Sequence, residues 1–170
     1  SLLLFSISLA IKQIGFFLIP LYMIWLWQSE NQNHIRNIIF AFAIILSIPL
    51  LTSLPFIIWN YEGFLKSIIF SATRNPASHF NAFSLDTYID QVIPSFIGIK
   101  AKIPMLFLMG LIYISTWRRQ IGMYTSSLLT LSVFIDFNSV LFLQYMSWVV
   151  PFIPLCVCDR MHINSGRRIS

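Results

Sequence analysis

The stretch "QYMSW", residues 144–148, places an amide, a phenol, a hydroxyl and an indole inside an otherwise hydrocarbon run, "SVLFLQYMSWVVPFIPLCVC". On a helix Gln144 and Trp148 are four apart and Tyr145 and Trp148 three apart, so the three share a face. Tyr and Trp are ordinary members of an interfacial aromatic belt. Gln144 is harder to absorb that way, because a carboxamide in a dry setting needs partners. Pro151 and Pro154 kink or loosen the helix below it, and a polar, aromatic face above a kink suits a cleft for a lipid-linked headgroup. Lys12, followed by Gln13, is the second candidate. It divides the apolar runs "LLLFSISLAI" and "IGFFLIPLYMIWLW". An ionisable group within a membrane segment costs roughly 2.5–3.5 kcal/mol on insertion scales. A lysine there is a site candidate by default, and its compact charge suits a phosphate; snorkelling to the headgroups is the competing reading. Arg74, His79, Asp86 and Asp90 lie between two apolar runs, where solvated loop residues are the simpler reading. Asp136 is more simply a cap at a helix end.

The elements that must hold these residues are membrane helices. Of the 170 residues 57% are apolar and 10% charged, against roughly 25% charged in soluble domains. So few charges cannot cover a soluble surface of this size, and the natural solvent of the chain is a bilayer. The net charge of +5 comes from basic residues at the ends of apolar runs, which read as topology signals and headgroup contacts. There is no basic stripe interleaved with aromatics, so no nucleic-acid partner is expected. Cys156 and Cys158 read as small buried hydrophobes rather than a metal or redox pair. The chain opens at Ser1 without a basic n-region, which argues against a signal peptide and leads us to expect a longer protein continuing upstream.

The fold class expected is all-α, a polytopic transmembrane bundle of about five spans with an interfacial helix in a long outer loop. The first span covers 14–27. Together with residues 2–11 it forms either one long tilted helix or a short interfacial helix followed by a span. The second covers 38–58, with Pro49 and Pro55 as tolerated kinks. An amphipathic segment at 64–71, a turn at Asn75-Pro76 and a short helix at 86–92 follow. The third span runs over 97–117, with Lys100 and Lys102 snorkelling at its start; the fourth, 121–137, is short; the fifth is 140–158. The very short turns at 118–120 and 137–139 predict a tight antiparallel bundle for the last three. Residues 1–158 form the membrane domain and 159–170 a basic cytoplasmic tail. Five spans put Arg36, Arg118, Arg119, Arg160, Arg167 and Arg168 on one face and Lys66, Arg74, Lys100 and Lys102 on the other, an excess that places the arginine face in the cytoplasm. Lys12, Gln13, Gln144, Tyr145, Trp148 and the 60–96 loop then converge on the outer half of the membrane.

His34, His79 and His162 are far apart in sequence, with no HExxH-like spacing, so no dedicated metal site is expected. P-loop, GxGxxG and GxSxG patterns are missing too, which argues against ATP hydrolysis, dinucleotide binding and serine hydrolase chemistry.

Three stretches resemble a known family. "SLAIKQIGFFLIPLYMIWLW" is similar to the segment of polytopic GT-C glycosyltransferases in which a short apolar helix meets a Lys-containing break before a proline-bearing span. "SLPFIIWNYEGFLKSIIFSATR" is similar to the family's Leu-Pro-Phe helix end and the interfacial segment after it. "QYMSWVVPFIPL" resembles its late helix, in which Gln/His-Tyr, a Trp and a Pro recur, especially in the GPI mannosyltransferases and their bacterial and archaeal relatives. The order and spacing agree over most of the chain. The resemblance implies an integral-membrane enzyme that takes a hexose, often mannose, from a polyprenyl-phosphate carrier and passes it to an acceptor at the outer or luminal face. It sits in the plasma membrane of a prokaryote or the endoplasmic reticulum of a eukaryote. Lys12 maps to the basic break and Gln144-Tyr145 to the late helix. Lys12, Gln13, Arg74, Gln144, Tyr145 and Trp148 form the substrate- and phosphate-binding set. The family's catalytic carboxylate lies in the first outer loop, and this sequence has no matching segment. The acid is unassigned, with Asp86 and Asp90 as weak candidates, and a divalent cation is left open. A transporter or flippase-like protein for a lipid-linked substrate, or a non-catalytic membrane subunit, are the alternatives.

Overall fold

The computed structural model describes residues 2–29, 34–73, 92, 99–137 and 145–157. Every regular element among them is a helix. The chain divides into two compact units, Ser1–Ala72 and Thr73–Ser170.

The first unit begins with α1 (Leu2–Ile11), a 3₁₀ segment (Gln13–Leu18) and α2 (Ile19–Gln28). The break falls at Lys12, whose backbone is extended (φ −141°, ψ 119°). Pro20 opens α2 where its missing N–H is no loss. A continuous helix would hold residues 5 and 22 about 25 Å apart. The rings of Phe5 and Tyr22 instead stack at 5.6 Å, so the chain reverses between them. Of the two forms expected for residues 2–27, the single long helix does not form: the run breaks at Lys12 into a short helix and a second one, and α1 turns back so that Phe5 meets Tyr22. Gly15 makes the reversal close, since a Cβ there would lie 2.8 Å from Leu9 Cδ2. Leu9 and Ile19 then pack on Ile45 of the next helix, with Leu2, Phe5, Tyr22 and Met23 around them.

That helix, α3 (His34–Thr73), is two limbs joined at Asn60, the one non-helical residue inside it (φ −153°, ψ 83°). Pro49 removes the N–H that would bond the carbonyl of Ile45, four residues back. Ser6 of α1 supplies the substitute: its buried Oγ donates to Ile45 O at 2.8 Å and accepts from Ile48 N at 3.4 Å. At the joint, Asn60 Oδ1 accepts from Gly63 N at 2.9 Å, the geometry of an N-cap on its third helical residue. The limb after Asn60 is therefore a separately capped helix, and it contains the 64–71 segment expected to be a short helix. The stretch Ile35–Phe70 is the one helix among the described residues long and apolar enough to cross a membrane. Apart from the stripe through Ala41 and Ile45 that packs on α1 and α2, its large side chains are mostly exposed, Leu51 being 71% and Ile58 76% exposed. A core helix of a soluble protein would bury them.

The second unit holds α4 (Ile99–Trp117), α5 (Met123–Asp136) and α6 (Met146–Val149). α4 and α5 form the tight hairpin that the short 118–120 turn predicts. Arg119 takes a left-handed conformation (φ 56°). Its N–H donates to Thr116 O and that of Gln120 to Ser115 O, a Schellman ending. Small hydroxyl residues let the helices approach closely: Thr116 Oγ1 meets Ser126 Oγ at 2.7 Å, buried, with Met105, Met109, Thr130, Leu131 and Ile135 also buried in this unit. At the far end Lys102 Nζ donates to Phe137 O at 2.7 Å. This lysine, expected to snorkel, instead caps the carbonyl end of α5, where a cation meets the negative pole of the helix. α5 has 14 residues, about 21 Å of helix against a hydrocarbon layer of about 30 Å. α6 packs against α5, turns at Val150 and Pro151, and resumes at 152–157. The expected proline break in the last apolar run is present.

Candidate functional site

The capped joint at Asn60 and the reversal at Lys12 lie in the same unit and shape one groove. Leu9 and Ala10 of α1, Phe16 of the 3₁₀ segment, one side of the first limb of α3 (Leu46, Pro49, Leu50, Thr52, Ser53 and Ile57), and Phe64 and Ile68 of the second limb line about 440 Å³. The walls are apolar apart from Thr52 and Ser53. Thr52 Oγ1 already donates within its own helix, 3.0 Å from Ile48 O and Pro49 O. The groove therefore asks for a hydrocarbon occupant. It lies within the roughly 300–1,000 Å³ of ordinary small-molecule sites.

A second hollow of about 280 Å³ adjoins the joint, between Phe56, Trp59, Asn60, Gly63, Phe64 and Ser67. Phe64 is a wall of both. None of these six side chains is ionisable, and Glu62 and Lys66 nearby pair with each other on the exposed side at 3.9 Å. Glu62 also stands in the first turn after the cap, where a carboxylate meets the positive pole of the helix.

Lys12 sits in the extended residue between Ala10 and Phe16, both groove residues, and is exposed. Gln13 opens the 3₁₀ segment. Tyr145 and Trp148 come together in the second unit, their ring centroids 4.6 Å apart and tilted by 37°. Gln144, Arg74, His79, Asp86 and Asp90 lie outside the described residues, as do the turn at Asn75-Pro76 and the basic tail. Asp136 closes α5 and is exposed. Cys156 is a free, half-buried thiol. Among the described residues no three His, Cys, Asp or Glu side chains cluster as a metal site.

Sequence reasoning missed the groove and the Asn60 hollow. The hollow had a signal: Asn60 stands three residues before Gly63, with Trp59 and Tyr61 beside it, which is a cap pattern flanked by aromatics. Comparison of the chain with family models, with curated proteins and with solved structures gives no match.

Proposed function

We propose that this chain is part of an integral-membrane glycosyltransferase and that the groove beside Lys12 holds the hydrocarbon chain of its polyprenyl-phosphate sugar donor. The observation that carries the reading is the apolar groove of the first unit, with wall residues Ala10 and Phe16 two before and four after Lys12 in sequence; Lys12 is exposed and is not itself a wall residue. A hydrocarbon chain next to one compact cation matches an isoprenoid phosphate. The exposed apolar surface of α3 supports a bilayer around it. In this reading five apolar runs cross the membrane, with the arginine-bearing turns and tail in the cytoplasm. The residues the family resemblance assigns to the substrate are Lys12, Gln13 and Arg74 for the carrier phosphate and Gln144, Tyr145 and Trp148 for the sugar.

The reaction is a displacement at the anomeric carbon of a hexose such as mannose. The acceptor oxygen bonds to that carbon while its bond to the carrier phosphate breaks. The acceptor proton passes to a carboxylate, for which Asp86 and Asp90 are the candidates within this chain. The negative charge that grows on the leaving phosphate is stabilised by Lys12 and Arg74. A translocator of a lipid-linked substrate is the second reading, favoured by the reversal at Lys12 and the broken last helix.

The test is transfer of a radiolabelled hexose from its polyprenyl phosphate in membranes carrying the full-length protein. Lys12→Ala, expressed at the wild-type level, is expected to lose transfer. Intact transfer in that variant removes Lys12 from the site. Absence of transfer by the wild type, together with movement of the lipid across proteoliposomes, favours the translocator.

A further inference from the structure

Only the first limb of α3 is anchored. Ala41, Ile45 and Pro49 are buried, and Ile45 packs on Leu9 and Ile19. From Leu50 to Phe70 no side chain is buried. The one ion pair of the second limb among the described residues, Glu62 with Lys66, lies within that limb. Few buried contacts mark a segment that moves at low cost. The two limbs meet at a single residue. Asn60 is extended (φ −153°, ψ 83°), which interrupts the ladder of helical bonds between them. The β region admits φ from about −60° to −160°, so backbone sterics leave Asn60 free to turn about its N–Cα bond. That turn carries the Asn60 side chain, its bond to Gly63 N and the second limb as one body, and the limb swings without losing its cap.

The groove lies astride this joint. Its α3 wall is built mostly from the anchored limb, but Phe64 and Ile68 come from the second. Phe64 is also a wall of the hollow of about 280 Å³ at the joint. A limb that withdraws Phe64 from the groove therefore has empty space to move it into. We propose that Asn60 is the hinge of a gate: the second limb swings about it, taking Phe64 and Ile68 off the groove to admit the donor's hydrocarbon chain sideways from the bilayer, and returns to hold it. This rests on the reading of the groove as the site of that chain. A chain that touches Phe64 and Ile68 only in the closed position binds that position more tightly, so its arrival shifts the limb toward closure. The gate needs no charged contact, which fits walls that are apolar apart from Thr52 and Ser53.

The test uses the full-length protein in phosphatidylcholine nanodiscs, its native cysteines replaced by serine. Nitroxides are attached at Leu51→Cys and Phe70→Cys, both exposed and neither a groove wall. The two sites would stand about 28 Å apart along a straight helix and closer across the bend. Their distance distribution is read by double electron–electron resonance. The probe is a polyprenyl phosphate with a diazirine in its chain. Groove occupancy is read separately, as photolabelling of the 46–50 segment that excess unlabelled polyprenyl phosphate displaces. Without the probe the distribution is expected to be broad, and the probe is expected to narrow it to the bent position. Ser67→Trp fills the hollow from an exposed site and should narrow it with no probe present. A distribution that the probe leaves unchanged overturns the gate, as does wild-type breadth in Ser67→Trp. Displaceable photolabelling then leaves the donor groove standing, and its absence overturns the groove as well.

Discussion

Deleting one hydroxyl should reveal how α1 is fastened to the kinked helix. Ser6 is fully buried and its Oγ donates to Ile45 O at 2.8 Å. Ser6→Ala leaves that carbonyl without its donor in a dry site. An orphaned buried acceptor costs about 1–3 kcal/mol, and interhelical hydrogen bonds within membranes average about 0.6 with a maximum near 1.7 kcal/mol. We expect a loss of about 1–2 kcal/mol. The carbonyl is available only because Pro49 lacks an N–H. Pro49→Ala restores the helical donor to Ile45 O, so Ser6→Ala in that background should cost about 0.5 kcal/mol or less, within the range of a single weak bond. The coupling energy of the double-mutant cycle is then about 1 kcal/mol, and the cavity left by the proline ring cancels from it. The assay is denaturant-driven unfolding in detergent micelles followed by far-UV circular dichroism, with four proteins compared. Additivity within about 0.3 kcal/mol would show that Ser6 does not act through the proline-freed carbonyl. Ser47→Ala is the control: its exposed hydroxyl serves only its own turn, at Ile44 O, and should be near neutral.

Three further outcomes follow from single geometries. Arg119 holds a left-handed backbone that costs an L-residue about 1 kcal/mol, so Arg119→Gly should stabilise the second unit by roughly that amount in the same unfolding assay. Asn60→Ala removes the cap of the second limb of α3 and should cost about 1 kcal/mol and some helix content, whereas Asn60→Asp should hold both. Gly15→Ala drives a methyl to 2.8 Å from the buried Leu9 and should destabilise the reversal by about 1–3 kcal/mol, with the Phe5–Tyr22 stack loosened in near-ultraviolet circular dichroism.

The places where sequence reasoning succeeds and fails follow from which residues carry directional information. The break at Lys12, the turn at 118–120 and the proline break after Trp148 were legible, because a charge, a short polar run and a proline each act locally. The helical class was legible from composition. The reversal of α1 on α2 was not, because both helices are apolar on nearly every side and no polar face marks which side packs inward. Gly15, a residue small enough for close approach, was its only trace. Pro49 announces that Ile45 O needs another donor, but the sequence does not say that Ser6, 39 residues away, provides it. The fourth run, expected at 121–137 and expected to be short, is trimmed at both ends: Gly122 is the N-cap of α5, and Phe137 lies just past its last residue and offers its carbonyl to Lys102. The groove was invisible because leucine, isoleucine and phenylalanine line it, and these residues are everywhere in this chain.

That same scarcity of polar side chains gives a way to separate fold from function. Several hydroxyls of the described helices answer to backbone carbonyls: Ser47, Thr52 and Ser127 bond within their own turns, and Ser6 reaches across to another helix. Thr116 does both, bonding Ile112 O and Ser126 Oγ. Lys102 serves the end of α5 in the same manner. These groups are explained by the cost of leaving backbone polar atoms unpaired in an apolar setting, and no ligand is needed to account for them. Asn60 is explained only by half: its oxygen makes the cap, while an amide where serine or aspartate would cap equally well brings a donor that the cap does not use. An exposed indole next to that donor is likewise unnecessary for the helix it sits on. The helices thus leave two polar groups unspent in different units: the Asn60 amide donor at the joint of α3, and Thr130 Oγ1, buried in α5 without a partner among the described residues.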